Sequence, residues 1–486
     1  MMRMSRVYNH LRFLTQSLFS LHFCLISSIA FSQTSIEGMM EDYEISPKYL
    51  SILLEEVETN NRVINHNSNI ARSPGSVTKL FTAFTALDIL GEKYRWITRA
   101  YVRGYISDQK IKHLLIRGGG DSTFSVNDLQ ALITDIRLKG VREIQSGLLL
   151  DQSFFSQRRK STGIFDESPL RPYNTMHSSL IVNSNKLDFK FNYDLKRNRV
   201  EIITDFLPSN IKIQNKLIIG SGSCSDFGSQ VEFEEIFNNE MLTINIEGIF
   251  PKDCLFFEHD IAITESEHYF FGVFKKLWLE SGGSINGTFK AKNLAKSDEP
   301  IARSISEPLI IVLTEMLKES NNLIARNVFL SLPIDSKRKN YRKARRKVSQ
   351  SMSNNAISWK RVNTIENGSG LSRKTRIKPE SIMSLVRKIN QDESYSDIQL
   401  MLPISGLDGT LENSYRSELL KGRLRLKTGT LNGVKGLSGF ITSLSGKEYR
   451  FVFIHNNFDD YKYDLSSFMN ELLSSIVSDD LITYDE

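Results

Sequence analysis

The sequence predicts an α+β fold, in which an antiparallel sheet is flanked by helices and interrupted by a long α+β insert. Three observations predict it. A hairpin pattern occupies residues 51–64, and three alternating apolar runs lie between residues 424 and 454. Between them, residues 94–295 form a region of short mixed runs unlike the rest. At about 100–200 residues per domain, the 486 residues suffice for two to four domains.

The first part of the chain predicts a hairpin followed by a helix. Apolar residues at 52–54, 57 and 63–64 flank the turn residues Asn60 and Asn61. Pro74-Gly75 then breaks the chain, and apolar residues at three- and four-residue spacing predict a helix over residues 80–90, ending at Gly91.

The middle of the chain predicts accessory structure. We assign residues 94–295 to one or two inserted domains, and residues 33–93 together with 296–486 to a discontinuous catalytic domain. Alternating and helical runs in the insert are at 111–116, 126–138, 199–203, 212–219, 241–246 and 268–279.

After the insert, the pattern predicts an amphipathic helix over residues 308–332 and a last helix over residues 463–476. Antiparallel strands are predicted at 424–428, 437–444 and 449–454.

The N-terminus predicts an export signal. Three arginines precede a mostly apolar stretch from residue 13 to residue 31, and Ala30-Phe31-Ser32 is a small-x-small cleavage pattern. We therefore expect residues 1–32 to be removed and the mature chain to be periplasmic. The alternative is an uncleaved anchor that keeps the protein at the membrane.

Composition excludes several classes of protein. The apolar fraction of 40% and the charged fraction of 24% exclude wholesale disorder. The net charge of +6 is small for this length and gives no argument for nucleic acid. No metal, P-loop or H-E-x-x-H pattern occurs, so we expect no cofactor. Cys224 and Cys254 could pair if their Cα atoms lie within about 7 Å, or could remain two free thiols.

Basic residues concentrate in one short run. Eight of the eleven residues from Lys337 to Lys347 are Lys or Arg. The simplest interpretation is a solvated loop or helix face. The functional alternative is weak contact with an anionic envelope polymer or membrane surface.

Three short motifs carry candidate chemistry, and each is weak alone. Ser76-Val77-Thr78-Lys79 is S-x-x-K; Lys79 is three residues from Ser76, so both side chains lie on one helical face. An amine there can take the hydroxyl proton if its pKa is lowered. The same pattern begins at Ser107, Ser209 and Ser336.

Ser320-Asn321-Asn322 is S-x-N, a polar break between apolar runs, where a hydroxyl and an amide could relay a proton and hold a peptide carbonyl. Its rivals begin at Ser125 and Ser353. Lys427-Thr428-Gly429-Thr430 closes a predicted strand, where the glycine suits close approach of a ligand backbone.

Together, in this order, the motifs match the serine-lysine acyl-transfer set of penicillin-binding proteins and serine β-lactamases. The chain resembles the low-molecular-mass, class C D-alanyl-D-alanine carboxypeptidase/endopeptidase family. The resemblance implies a serine β-lactamase/transpeptidase-like fold with extra domains between Lys79 and Ser320. Supporting stretches are residues 119–123, 151–155, 367–373, 402–411 and 427–440.

The resemblance implies cleavage of peptidoglycan stem peptides that end in D-Ala-D-Ala, and of cross-links. Ser76 would attack the penultimate carbonyl with Lys79 as general base, and Ser320 would pass the proton to the leaving amine. β-Lactams would inhibit by acylating Ser76. Substrate contacts would come from Asn322, Lys427, Thr428 and the backbone N–H of Thr430.

Three positions depart from the family pattern. Asn321 and Asn367 stand where Asp is common, and Arg326 stands where an acid is frequent. Two alternatives remain. A serine β-lactamase shares the motifs, but the chain has no E-x-x-L-N segment. A non-catalytic β-lactam sensor or cell-wall binding protein usually carries a membrane-spanning transducer, which we do not find.

Overall fold

The computed structural model of the protein describes residues 35–156, 163, 165–457 and 464–480. The expected export signal at residues 1–32 lies outside the described residues. The helices are α1 Ile36–Asp42, α2 Lys79–Leu90, α3 Val126–Leu138, α4 Cys224–Gln230, α5 Ser266–Glu280, α6 Leu309–Lys318, α7 Asn322–Ser331, α8 Tyr341–Asn354, α9 Pro379–Gln391, α10 Asp397–Leu400 and α11 Leu465–Val477.

The strands include all those that the sequence predicts. They are β1 Leu50–Glu56, β2 Arg62–His66, β3 Ile97–Arg103, β4 Lys110–Ile111, β5 His113–Arg117, β6 Glu143–Ile144, β7 Leu148–Asp151, β8 Lys186–Asp194, β9 Arg199–Ile203, β10 Ile211–Gly220, β11 Glu232–Asn238, β12 Met241–Pro251, β13 Phe256–Ala262, β14 Ser284–Ile285, β15 Phe289–Ala291, β16 Asp298–Ile305, β17 Leu424–Leu431, β18 Val434–Thr442 and β19 Glu448–Asn456.

One antiparallel sheet joins the two ends of the chain, in the order β17-β18-β19-β1-β2. The N-terminal hairpin docks on the C-terminal strands, with Ser51 opposite Ile454. Successive side chains of β1 face opposite sides, as in any strand. Leu53 packs with α2 and α6–α9, whereas Ile52 and Leu54 pack with α1 and α11. The predicted α+β fold, with helices on a central antiparallel sheet, is therefore confirmed.

The region between α2 and α6 has its own sheets and its own core. Strand β16 pairs with β3 over Ile97–Arg103, so it belongs to the sheet β15-β7-β5-β3-β16. The domain limits stay a prediction, and this pairing favours an insert that ends near Ile305 rather than at residue 295. Cys224 and Cys254 are bonded within the insert, with Cα atoms 4.9 Å apart.

The predicted helix over residues 308–332 is wrong as a single element. The structure has two helices, α6 and α7, separated at Ser320, which adopts a left-handed φ of 56°. Asn321 then caps α7, accepting a hydrogen bond from the Ile324 amide at 3.1 Å. The left-handed residue interrupts the helix, and the cap that follows starts α7. The three- and four-residue spacing of apolar residues continues across this break, so the spacing alone predicts one helix.

The basic run, residues 337–347, starts before α8 and continues through the first two turns of that helix. Lys339 is buried, and its ammonium donates to the carbonyls of Pro333 and Ile334 at 3.0 and 3.2 Å. Among the described residues, only Lys347 of this run has a carboxylate partner, Asp335 at 3.2 Å. The exposed members, called here the basic face, are Lys337, Arg338, Arg342, Arg345 and Arg346.

Among residues 35–156, 163, 165–457 and 464–480, no helix has the length and apolar character that a bilayer span requires.

A buried carboxylate ties the sheet to α9. Glu55 on β1 is 1% exposed and contacts Arg450 on β19 at 2.9 Å, Arg387 on α9 at 2.9 Å and Arg62 on β2 at 3.3 Å. Burial acts to raise the pKa of Glu55, but the arginines outweigh it and hold that pKa below its ordinary value.

We predict that Glu55→Gln lowers the free energy of unfolding by about 3–5 kcal/mol, because Arg387 and Arg450 lose their carboxylate partner and Arg62 retains only Glu380. Urea unfolding at several pH values measures this. The contribution is complete above the ordinary carboxyl pKa of about 4.3 and is lost as pH falls through the depressed folded-state pKa. Glu380→Gln is the control, because Arg62 is the one ion-pair partner of Glu380 among the described residues and the Glu380 side chain is 30% exposed. That change should cost no more than about 1 kcal/mol; equal losses would contradict the assignment.

Candidate active site

Ser76 lies in a tight turn against the central sheet. The turn is a 3-10 helix over Gly75–Thr78, and α2 begins directly after it at Lys79. Ser76 is therefore one turn before the α-helix and is not part of it. Gly75 has a φ of 54°, a conformation that glycine adopts without strain. Thr78 closes the turn by donating to the Gly75 carbonyl at 2.7 Å.

Lys79 is fully buried, and its amine contacts three neutral acceptors. Its Nζ donates to Ser76 Oγ at 2.9 Å, to Asn322 Oδ1 at 2.6 Å and to the Ser369 carbonyl at 2.8 Å. No carboxylate of the described chain lies within ion-pair distance. Burial lowers the pKa of Lys79 well below its ordinary value, and the positive charges of Lys427 and Arg326 lower it further.

The S-x-N motif occupies the break between α6 and α7. Each of its residues has a separate structural role there. Ser320 supplies a half-buried hydroxyl, Asn321 caps α7, and Asn322 receives the Lys79 amine. Asn322 also donates from Nδ2 to the Tyr173 carbonyl at 3.1 Å. The side-chain amide of Asn322 is therefore fixed from both ends.

Lys427 is the second buried amine. Its Nζ donates to Ser320 Oγ at 2.9 Å and to the Thr428 carbonyl at 3.1 Å. Burial lowers the pKa of Lys427 to about 7, although Glu319 opposes the shift. Lys427 therefore changes charge near neutral pH while in contact with the Ser320 hydroxyl.

The serines open into a cleft of about 360 Å³ beside the edge strand β17. Thr428 is half-buried there and shares a hydrogen bond with Thr410 at 2.9 Å, whereas Thr430 is exposed and accepts from Lys435 at 3.4 Å. Both lysines lie behind the serines. The lining residues are Ser76, Ser320, Thr410, Leu411, Ser414, Tyr415, Thr428, Thr430, Lys435, Gly436, Leu437 and Met469.

Two glycines allow the backbone to close around Ser76. A Cβ on Gly429 would lie 2.5 Å from the Pro74 carbonyl and 2.9 Å from the Ser76 amide nitrogen. A Cβ on Gly370 would lie 2.0 Å from the Gly75 carbonyl. The glycine of K-T-G thus meets the chain's own turn, and not only a ligand backbone as its sequence context suggested.

Sequence reasoning missed two parts of the site. The Ser369 carbonyl accepts from both Lys79 and, at 3.4 Å, the Ser76 hydroxyl. Its segment, residues 367–373, was recognised only as a family stretch, and its Gly-Ser-Gly was the available signal. Thr410 likewise lies in a stretch that supports the family resemblance, residues 402–411, but it was assigned no role from the sequence, although its hydroxyl contacts that of Thr428.

The rival motif serines have structural roles instead. Ser125 forms a capping box with Asp128 at the start of α3. Ser209 donates to the Gly272 carbonyl at 3.1 Å, and Ser353 donates to the Ser349 carbonyl at 3.0 Å within α8. Ser336 donates to the Arg338 carbonyl at 3.0 Å. The structure brings the seven candidate residues together: Ser76, Lys79, Ser320, Asn322, Lys427, Thr428 and Thr430.

Comparison with known proteins agrees with this arrangement. The model of the D-Ala-D-Ala carboxypeptidase 3 (S13) family matches residues 32–474. The D-alanyl-D-alanine carboxypeptidase DacB of Haemophilus influenzae is 22% identical over 415 residues, covering 84% of this chain and 85% of that protein. The D-alanyl-D-alanine carboxypeptidase of Actinomadura sp. (strain R39) is 22% identical over 440 residues, covering 87% and 80%.

A solved structure shares the fold. The crystal structure of penicillin binding protein 4 (dacB) from Haemophilus influenzae aligns with a TM-score of 0.76 at 20% identity, covering 91% of this chain and 99% of that one. The same protein complexed with a β-lactam aligns with a TM-score of 0.71 at 19% identity, over the same shares.

We predict that Gly429→Ala slows acylation of the protein by a fluorescent penicillin about a hundredfold, because a displacement near 1 Å at a reacting group costs that much. Gly446→Ala is the control. Gly446 has a positive φ of 86°, so alanine is strained there, but an added Cβ meets nothing within 4 Å. Rates that fall equally in both variants would show that general destabilisation, and not the Ser76 contact, is responsible.

Proposed function

Because the chain belongs to the D-Ala-D-Ala carboxypeptidase 3 (S13) family and is a serine-type D-Ala-D-Ala carboxypeptidase, we propose that its reaction runs through an acyl-enzyme on Ser76. The substrates are peptidoglycan stem peptides that end in D-Ala-D-Ala. The observation that carries the proposal is the 2.9 Å contact between the buried Lys79 amine and the Ser76 hydroxyl.

In the first step, Lys79 acts as general base. A neutral amine can accept the Ser76 proton, and the burial and nearby positive charges that lower the pKa of Lys79 favour that neutral form. Ser76 then attacks the penultimate carbonyl of the stem peptide. Asn322 holds Lys79 in place and orients the acyl-side amide of the substrate.

The developing oxyanion is stabilised by the backbone N–H groups of Ser76 and Thr430. In support, a Cβ on Gly75 would lie 3.4 Å from the Thr430 amide nitrogen and one on Gly429 would lie 2.9 Å from the Ser76 amide nitrogen, so the turn and the strand are in close contact beside both amides. A preorganised donor of this kind contributes roughly 3–4 kcal/mol to the transition state.

Ser320 and Lys427 serve the leaving group. The 2.9 Å hydrogen bond between them gives the leaving amine a proton source through the Ser320 hydroxyl. Thr428 and Lys427 meet the terminal carboxylate of the substrate. Because the pKa of Lys427 is about 7, carboxylate binding should favour its charged form during turnover.

Water then hydrolyses the acyl-enzyme. We also propose that the same steps cut D-Ala to diaminopimelate cross-links, as a DD-endopeptidase. β-Lactams should acylate Ser76 and stay bound; the relative from Haemophilus influenzae has been solved with a β-lactam, which supports this. A serine β-lactamase is the alternative, and faster cephalosporin turnover than D-alanine release would favour it.

We further propose export to the periplasm and weak contact between the basic face and an anionic lipid surface. The five side chains of the basic face are exposed and have no carboxylate partner within ion-pair distance among the described residues. Unpaired charges of one sign on one surface attract anionic headgroups within about a Debye length.

We predict that Ser76→Ala lowers D-alanine release from a pentapeptide by at least ~1,000-fold, because the nucleophile is removed. Ser107→Ala and Ser209→Ala, which change rival S-x-x-K serines, should keep wild-type rates. Mass spectrometry of products from pentapeptide and cross-linked muropeptides measures both activities. Substantial release by Ser76→Ala would refute the nucleophile assignment.

We predict that changing four arginines of the basic face to Gln weakens binding to phosphatidylglycerol vesicles at least ~tenfold at low salt, since each nearby charge contributes about 1 kcal/mol. Phosphatidylcholine vesicles should bind neither protein. The matched control removes four exposed lysines of the insert, and equal loss in both variants would disprove the assigned surface. The basic-face variant changes Arg338, Arg342, Arg345 and Arg346. The control variant changes Lys252, Lys290, Lys292 and Lys296.

A further inference from the structure

Arg326 is a buried cation without an anionic partner. It lies on α7, four residues after Asn322, and is 4% exposed. Within the described chain, no carboxylate comes within ion-pair distance of its guanidinium. Burial lowers the pKa of Arg326, but a guanidinium keeps its proton in proteins, so the charge remains. An uncompensated buried charge is costly, and its retention beside an active site calls for an explanation.

Arg326 connects α7 to the insert. Its guanidinium donates to the Thr175 carbonyl. Asn322 donates to the Tyr173 carbonyl at 3.1 Å, and Asn327 donates to the Ser178 carbonyl at 2.8 Å. Three side chains of α7 therefore bind carbonyls of one segment, residues 173–178, and Asn322, the residue that receives the Lys79 amine, is among them.

The charges around this region are mostly positive. Lys79 faces Lys427 from β17 and Arg326 from α7, and both charges lower its pKa. Arg326 in turn faces Tyr341 on α8, whose hydroxyl lies 3.1 Å from His177 Nδ1 of the insert. Burial raises the pKa of the Tyr341 phenol to about 12; the charge of Arg326 opposes that shift, and Glu366 adds to it.

We propose that Arg326 is a positioning residue for the acylation step. It fixes α7 to residues 173–178, so that Asn322 stays aligned with Lys79, and it supplies a permanent positive charge next to that lysine. The inference rests on the proposed function, because it takes Lys79 to be the base that activates Ser76. It also gives the insert a part in catalysis, since the insert supplies the carbonyls that hold α7.

The experiment measures the second-order rate of acylation by a fluorescent penicillin between pH 5 and pH 10. In the wild type, the rate should fall on the acid side as Lys79 becomes protonated. Removing a neighbouring positive charge raises the pKa of Lys79, so the acid limb moves to higher pH. We expect Arg326→Gln and Arg326→Met to shift it upward by about one pH unit, which lowers the rate about tenfold at any pH on the acid limb.

Two further variants separate the charge from the attachment. Arg326→Lys keeps the charge and should leave the acid limb at its wild-type pH. Asn327→Ala removes another attachment to residues 173–178 without changing charge, so it should lower the rate at every pH with no shift. If neither neutral Arg326 variant folds, Arg326→Lys decides alone, and a moved limb in that variant would contradict the proposal.

The outcomes distinguish this inference from the proposed function. A wild-type protein that is not acylated at any pH would overturn the proposed function itself. An active wild type whose acid limb stays fixed in Arg326→Gln and Arg326→Met would overturn only the role given to Arg326.

Discussion

The burial of the Lys79 amine is the constraint on which the site depends. An ammonium group enclosed at that depth needs a carboxylate, and its three acceptors are instead a hydroxyl, an amide and a carbonyl. The neutral amine is the form that such surroundings favour. Those acceptors come from the Ser76 turn, helix α7 and the loop at Ser369, so three distant segments must meet before the lysine has its partners.

Close backbone contacts make that meeting possible. Strand β17 and the loop at Gly370 both contact the turn that carries Ser76. Each contact is made at a glycine, because a Cβ there would clash with the backbone of the turn. The sheet beneath unites the chain's two ends, because β1 pairs with β19. The insert is attached to α7, through carbonyls that receive side chains of that helix. A long insertion can thus leave the site intact and still support it.

Local sequence patterns predicted the central sheet and the spacing of the motif residues. They failed for features that depend on backbone conformation or on contacts between segments far apart in the chain. The spacing of Ser76 and Lys79 placed both on one face, and alternating runs found the strands of the central sheet. Hydrophobic spacing alone merged α6 with α7, because the left-handed Ser320 leaves that spacing uninterrupted. The role of the Ser369 carbonyl was missed, since every residue has a backbone carbonyl and only the surrounding Gly-Ser-Gly distinguishes this one. The strand β16 joined the insert through pairing with β3, a partner nearly two hundred residues earlier.

The measurement that tests the central claim most directly is peptide mapping after β-lactam acylation, in the wild type and in Lys79→Met. The account predicts a mass adduct on the peptide that contains Ser76 in the wild type, and no adduct in a folded Lys79→Met protein. An adduct on another residue, or undiminished labelling of Ser76 without the lysine, would contradict it.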